Sequence, residues 1–176
     1  MYVTRKKPVL MGVLALALAA PALAHADAAK DLQVAARALT FLENGPTGKA
    51  TLGVVFDPSK PASVAEKNAV MAALGAGLSA GGLTLVGKPV EAGAVSGASG
   101  VQALFVTRGV NYAAVGGAAK GKKLVTISSD PACAQSGACV MSVATEPKVD
   151  ITVNRAAAAA VGVAFKAAFR MMIKEI

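Results

Sequence analysis

Apolar and polar positions change rhythm several times along the chain, and each change marks an element. Residues 9–20 are almost continuously apolar, preceded by Arg5, Lys6 and Lys7 and followed by Pro21 and the small residues Ala22, Ala24 and Ala26. This is the order of a secretory signal: a basic start, an apolar middle shorter than the ~20 residues of a spanning helix, then small side chains for the peptidase. It predicts a signal peptide over 1–26, cleaved after Ala24 or Ala26, and one domain over 27–176. Arg5-Lys6 is not a twin-arginine pair, and no Cys follows the apolar run to accept lipid. General export to the periplasm is the expectation.

Beyond residue 26 the rhythm alternates between helical and strand-like. Lys30 to Glu43 reads as a helix stopped by Asn44-Gly45-Pro46, and Thr51 to Phe56 as a strand stopped by Asp57-Pro58. Ser63 to Ala80 reads as an amphipathic helix with Val64, Met71, Leu74 and Leu78 on its buried stripe and Glu66, Lys67 and Asn68 away from it. Gly81-Gly82 closes it. Strands follow over Leu83–Val90, Val101–Thr107 and Lys123–Ser128, with a Gly/Ser-rich loop over 92–100 and a short helix over Asn111–Ala119. Two further strands, Cys139–Ala144 and Val149–Val153, precede an Ala-rich helix capped by Asn154. After Gly162, the residues Phe165, Phe169, Met172, Ile173 and Ile176 fall on a second helical stripe, with Lys166, Arg170 and Lys174 opposite. Apolar strands alternating with helices predict an α/β fold: a single Rossmann-like domain whose mostly parallel sheet carries helices on both faces.

Composition then narrows the chemistry. The 176 residues carry 18 Lys+Arg against 10 Asp+Glu, for a formal charge of +8, and losing Arg5, Lys6 and Lys7 with the signal lowers it to +5. Aromatics make up only 4% of the chain, and without clustered Arg beside stacking rings this charge does not describe a nucleic-acid binder. His25 is the lone His and lies at the cleavage junction, so His-dependent triads and His-ligated metals are not open to the exported chain. The Gly75–Gly81 run lacks the strand-to-helix setting of a dinucleotide loop, and there is no P-loop. Asp57, Glu91, Asp130, Glu146 and Asp150 could pair in space, but nothing in their spacing says so. The expectation is a non-enzymatic protein with no cofactor and no metal.

Polar residues gather just past strand ends: Asp57 and Ser59 after the first strand, Thr107 and Arg108 after the third, Ser128, Ser129 and Asp130 after the fourth. In open α/β sheets ligands sit outside the carboxyl ends of the strands, where short hydroxyls could hold a small polar ligand and Arg108 a carboxylate. The same residue types also form turns and helix caps. Cys133 and Cys139, six apart in a Pro/Gly-bearing loop, suit a local disulfide in an oxidising compartment, with a loop-closure stabilisation of about 2 kcal/mol. Their spacing is not that of a Cys-x-x-Cys redox motif, and no second pair completes a zinc site.

Four stretches carry a family likeness: Val101–Thr107 (VQALFVT), Leu124–Asp130 (LVTISSD), the loop holding Cys133, Gly137, Cys139 and Met141, and Asp150–Asn154 with the Ala-rich helix after it. Together they resemble the YfiR family of periplasmic proteins. The resemblance implies a Rossmann-like sensor that restrains an inner-membrane diguanylate cyclase, with redox state as an input and Cys133 and Cys139 at the family's later disulfide. The family's other cysteine pair has no counterpart, and its aromatic segment after the first helix is reduced to Phe41–Pro46 without Trp. The Asn-capped tail is also similar to one lobe of type 1 substrate-binding proteins of ABC transporters, which implies a small polar ligand. With half of such a two-lobed receptor, a closing cleft would require a homodimer or another partner.

Overall fold

In the computed structural model the described residues are 21–176, with side chains from Ala28 onward. The basic and apolar parts of the expected signal, residues 1–20, lie outside them. The described residues open with helix α1 (Pro21–Leu39), which starts nine residues before the helix expected from Lys30. Strand β1 (Gly48–Phe56), helix α2 (Pro61–Leu74), the short strand β2 (Leu78–Ala80) and strand β3 (Leu83–Glu91) follow. A 3-10 turn (Ala92–Gly97) leads to β4 (Ala103–Val106), α3 (Tyr112–Gly121), β5 (Val125–Ser128) and α4 (Pro131–Gln135). The chain ends in β6 (Met141–Ala144), β7 (Asp150–Val153), α5 (Arg155–Val161), α6 (Ala167–Arg170) and β8 (Lys174–Glu175).

The eight strands form one sheet in the order β2-β3-β1-β4-β5-β6-β7-β8. From β3 to β6 every pairing is parallel, and β2 and β7 run antiparallel to their neighbours β3 and β6. The fold class is therefore α/β with a mostly parallel sheet. Strand alternation sends Leu52, Val54, Phe105 and Ile127 to one face, under Leu32 and Leu39 of α1 and Val70 and Leu74 of α2. Val55, Leu104 and Val106 face the other way, against Val95, Val115, Cys133 and Cys139. Each fully buried Leu or Val contributes about 1.5–3 kcal/mol, so both faces of the sheet are stabilised from side chains that the strand period itself presents.

Two expected elements are corrected. The helix read over Ser63–Ala80 stops at Leu74, because Gly75 takes φ +49 as its C-cap, and residues 78–80 pair with β3 as an edge strand. Gly81-Gly82 is thus a hairpin turn and closes no helix. Helix α2 also sits tightly on β3: a Cβ at Gly87 would meet Met71 Sδ at 2.7 Å and Leu74 Cδ1 at 2.8 Å. The second helical stripe at the carboxyl end is not one helix. Gly162 ends α5 in the left-handed region, and the chain then runs against the turn after α1. Glu43 N–H donates to Ala164 O, Lys166 N–H donates to Phe41 O, and Phe165 bridges Leu42. This contact buries Phe165 and stacks Phe169 on Phe41, with ring centroids 5.0 Å apart. The last residues join the sheet edge as β8. Tertiary backbone hydrogen bonds outweigh the local helical period there, and no basic amphipathic helix forms.

Candidate functional site

The strand order reverses between β1 and β4: β1 is followed in the sheet by β3 on one side and by β4 on the other. The carboxyl ends of β1, β4 and β5 meet at this switch point, and they carry the residues the sequence singled out. Thr107 follows β4 as a fully buried residue. Its hydroxyl donates to Val55 O at 2.9 Å, which leaves its oxygen to accept from Ser63 Oγ at 2.6 Å. Ser63 in turn accepts from Asp57 N–H at 2.9 Å. This relay ties the end of β1 to the start of α2. Asp57 turns its Oδ1 back onto the Ser59 N–H (2.9 Å) and hydroxyl (2.7 Å), and those two donors hold its carboxyl below the usual carboxylate range.

Glu66 is the hub that the sequence reading missed. It was placed on the solvent side of its helix, yet its side chain is only 11% exposed. It accepts from Arg108 N–H at 2.6 Å, takes the Ser129 hydroxyl in a very short hydrogen bond, and faces Arg108 Nε at 3.5 Å. A signal existed: Glu66 lies three residues after Ser63 and four before Val70, both buried, so helical spacing alone puts it on the inner face. The stripe read through Val64 and Met71 was displaced by about one position around the helix.

Tyr112 is the other missed member. It opens α3 behind the Asn111 cap, whose side chain accepts from Ala114 N–H, and its hydroxyl donates to Asp130 Oδ2 at 2.7 Å. Burial, the hydrogen bond to Asp130 and the nearby charges of Asp130 and Glu66 push its phenol well above the ordinary range. Asp130 uses its other oxygen to cap α4 through Ala132 N–H at 2.9 Å. Ser128 donates to Val106 O at 2.8 Å and accepts from Asp130 N–H. All seven predicted residues thus lie at one end of the sheet, where Glu66, Arg108 and Ser129 form one network and Tyr112, Asp130 and Ser128 another. Among the described residues Ser59 bonds to Asp57 alone. Among the described residues no buried side-chain nitrogen or oxygen lacks a hydrogen-bond partner. The cluster is therefore closed on itself, with Arg108 (65% exposed) presenting what remains of its guanidinium to solvent.

Cys133 and Cys139 form the expected disulfide, across a loop that holds α4. Asn154 caps α5 through Ala157 N–H and also donates to Ala134 O at 2.9 Å, fastening the cysteine loop to the carboxyl third of the chain.

A cavity lies elsewhere. A groove of about 570 Å³ runs between α1 and the carboxyl tail, walled by Val34, Arg37 and Phe41 of the helix and its following turn, by Gly81 beside β2, and by Val149, Phe169 and Met172. Its lining includes two of the most exposed large apolar side chains among the described residues, Met172 at 64% and Val149 at 60%; Met171, next in the chain, is 88% exposed.

No family model matches the chain, and no curated protein matches it in sequence. Solved structures do. The chain is similar to a conserved domain protein from Vibrio cholerae O1 biovar El Tor, with 13% identity, a TM-score of 0.60, and coverage of 84% of this chain and 59% of that one. It is also similar to an ABC domain in complex with L-Trp from Streptococcus pneumonia, with 15% identity, a TM-score of 0.57, and coverage of 85% and 60%. The chain spans about three fifths of the length of each, and the likeness is one of fold, a Rossmann-like α/β layer. Among the described residues no helix is long and apolar enough to cross a membrane.

Proposed function

We propose that the chain is an exported, non-enzymatic regulatory protein of the YfiR type, which docks on an inner-membrane signalling protein such as a diguanylate cyclase and restrains it from the periplasmic side. One contrast carries this reading. The polar groups at the strand ends are spent on one another, whereas Met172 and Val149 stand exposed on the lining of a groove, with exposed Met171 next to Met172 in the chain. Clustered apolar side chains on a surface favour a protein contact, and Met adapts its shape to what it meets. The disulfide suits an oxidising compartment and so supports export.

A second reading has its own support. The switch point is where α/β sheets bind small ligands, and one fold neighbour was solved with L-Trp. In this reading the chain is a lobe for a small polar ligand, with Arg108 turning from Glu66 to a ligand carboxylate.

The test is affinity capture of the exported protein from detergent-solubilised membranes of its own organism, with cyclic di-GMP measured in cells lacking the protein. The regulator reading expects an inner-membrane partner whose retention falls in Met172→Asp, and a rise in cyclic di-GMP on deletion. Recovery of no membrane partner, together with a tight thermal shift by a small acid or amino acid that Arg108→Ala abolishes, would overturn it in favour of the lobe.

A further inference from the structure

We propose that the groove between α1 and the carboxyl tail takes an amphipathic helical segment of the partner, and that a carboxylate on this segment pairs with Arg37. The inference rests on the regulator reading and names what that partner must present. Arg37 is the single charged residue on the groove wall. Its guanidinium lies over the Phe41 ring, 5.6 Å from the centroid, and packs on Gly81, where a Cβ would leave it no room. Both contacts are with flat or bare surfaces, so they orient the guanidinium without satisfying its N–H donors. Among the described residues it pairs with no carboxylate. Lys166 adds a second positive charge at the same end, its Nζ on Thr40 O at 3.3 Å.

The rest of the wall decides the shape of the occupant. Apart from Gln33, Arg37 and Ser79 the lining is apolar, which suits the apolar face of a helix with anchors at i, i+3, i+4 and i+7 better than a small polar molecule. Strand addition is disfavoured at the nearby sheet edge, because Gln33 Nε2 already donates to Ser79 O of β2 at 3.2 Å. An apolar helix face would cover Val149 and Met172, and a carboxylate at its Arg37 end would supply the missing counter-charge. Such complementarity sets register and orientation more than raw affinity.

The probe is a set of short fluorescent amphipathic Leu/Ala helices, identical except for Glu, Gln or Lys at one terminal position, titrated against the protein by anisotropy. The Glu helix is expected to bind tightest and the Lys helix about fivefold more weakly, the span of one exposed ion pair. Arg37→Glu is expected to reverse that order, and Met172→Asp to weaken all three helices. Both side chains are exposed, and circular dichroism checks that the variants fold. Equal binding of the three helices, or an order that survives Arg37→Glu, would sink the proposal. Membrane capture separates it from the reading beneath. A partner retained equally by Arg37→Glu removes the groove assignment and leaves the regulator reading. No partner on the unmodified protein, with charge-ordered helix binding intact, removes the regulator reading alone.

Discussion

Two adjacent glycines in α3 should respond to the same substitution in opposite directions. Gly116 is buried where α3 packs on the disulfide loop: a Cβ there would stand 2.7 Å from Ala138 Cα, 2.8 Å from its carbonyl oxygen and 2.9 Å from its Cβ. Gly117 has nothing within 4 Å of the same position. Gly→Ala in a helix interior is worth about 1 kcal/mol, from reduced freedom of the unfolded chain. At Gly117 that gain stands, and stability should rise by about 0.5–1 kcal/mol. At Gly116 the opposing atoms are mostly backbone and cannot turn aside as a side-chain tip would. Helix or loop must shift, and three contacts under 3 Å put the overpacking cost at about 2–3 kcal/mol, which leaves a net loss of about 1–2 kcal/mol after the helical gain. Urea unfolding followed by circular dichroism, with the disulfide intact, measures both as changes in midpoint at constant slope. Reducing Cys133–Cys139 frees the loop, so the loss at Gly116 should shrink while the gain at Gly117 persists. A Gly116→Ala protein as stable as the unmodified chain, or a Gly117→Ala protein destabilised to the same extent as Gly116→Ala, would refute the packing of α3 on this loop.

Two further outcomes test the strand-end network. Glu66→Ala strips the acceptor from Arg108 N–H and Ser129 Oγ in a nearly buried setting, and should cost about 2–4 kcal/mol in the same urea assay, with Glu66→Gln costing about half. Arg108→Ala, which keeps the backbone N–H donor to Glu66 and loses a mostly exposed guanidinium 3.5 Å from it, should cost less than about 1 kcal/mol; equal losses for Glu66→Ala and Arg108→Ala would show that Glu66 is no hub. Tyr112 holds its proton more tightly in the folded state than in the unfolded one. The unfolded chain therefore gives up that proton first, and stability should fall as pH rises through the ordinary phenol value of about 10. Tyr112→Phe should flatten that alkaline limb, and parallel limbs in thermal melts of the two proteins would rule out the Asp130-bonded phenol as its source.

Much of the sheet was legible because strands buried on both faces announce themselves as short apolar runs. Thr51–Phe56 and Leu83–Val90 fell within a few residues of β1 and β3. Asn154 read correctly as a cap, since a short side-chain oxygen before a helix has little else to bond, whereas Asn111, read as the first residue of its helix, is the cap of α3. The strand-end polar residues were also visible, because turn chemistry and site chemistry use the same residue types at the same place. Glu66 was not: a charged residue on an amphipathic helix reads as solvated, and only its spacing from Ser63 and Val70 spoke against that. The tail misled more thoroughly. Phe165 and Phe169 keep helical spacing and do meet, with centroids 5.2 Å apart, but Phe165 sits in a bridge to Leu42, only the four residues of α6 are helical, and the end of the chain pairs with β7.

Local chemistry in the sequence therefore determined the α/β class, the cysteine staple, the helix caps and the gathering of hydroxyls, carboxylates and Arg108 at strand ends. Those features depend on side-chain period and on hydrogen bonds between residues close in the chain. Tertiary structure alone decided that Glu66 closes that cluster, that the carboxyl tail becomes an edge strand, and that an apolar groove opens beside an unpaired Arg37. Each of these joins residues 22 or more positions apart, where the competing partners are set by which surfaces the sheet brings together.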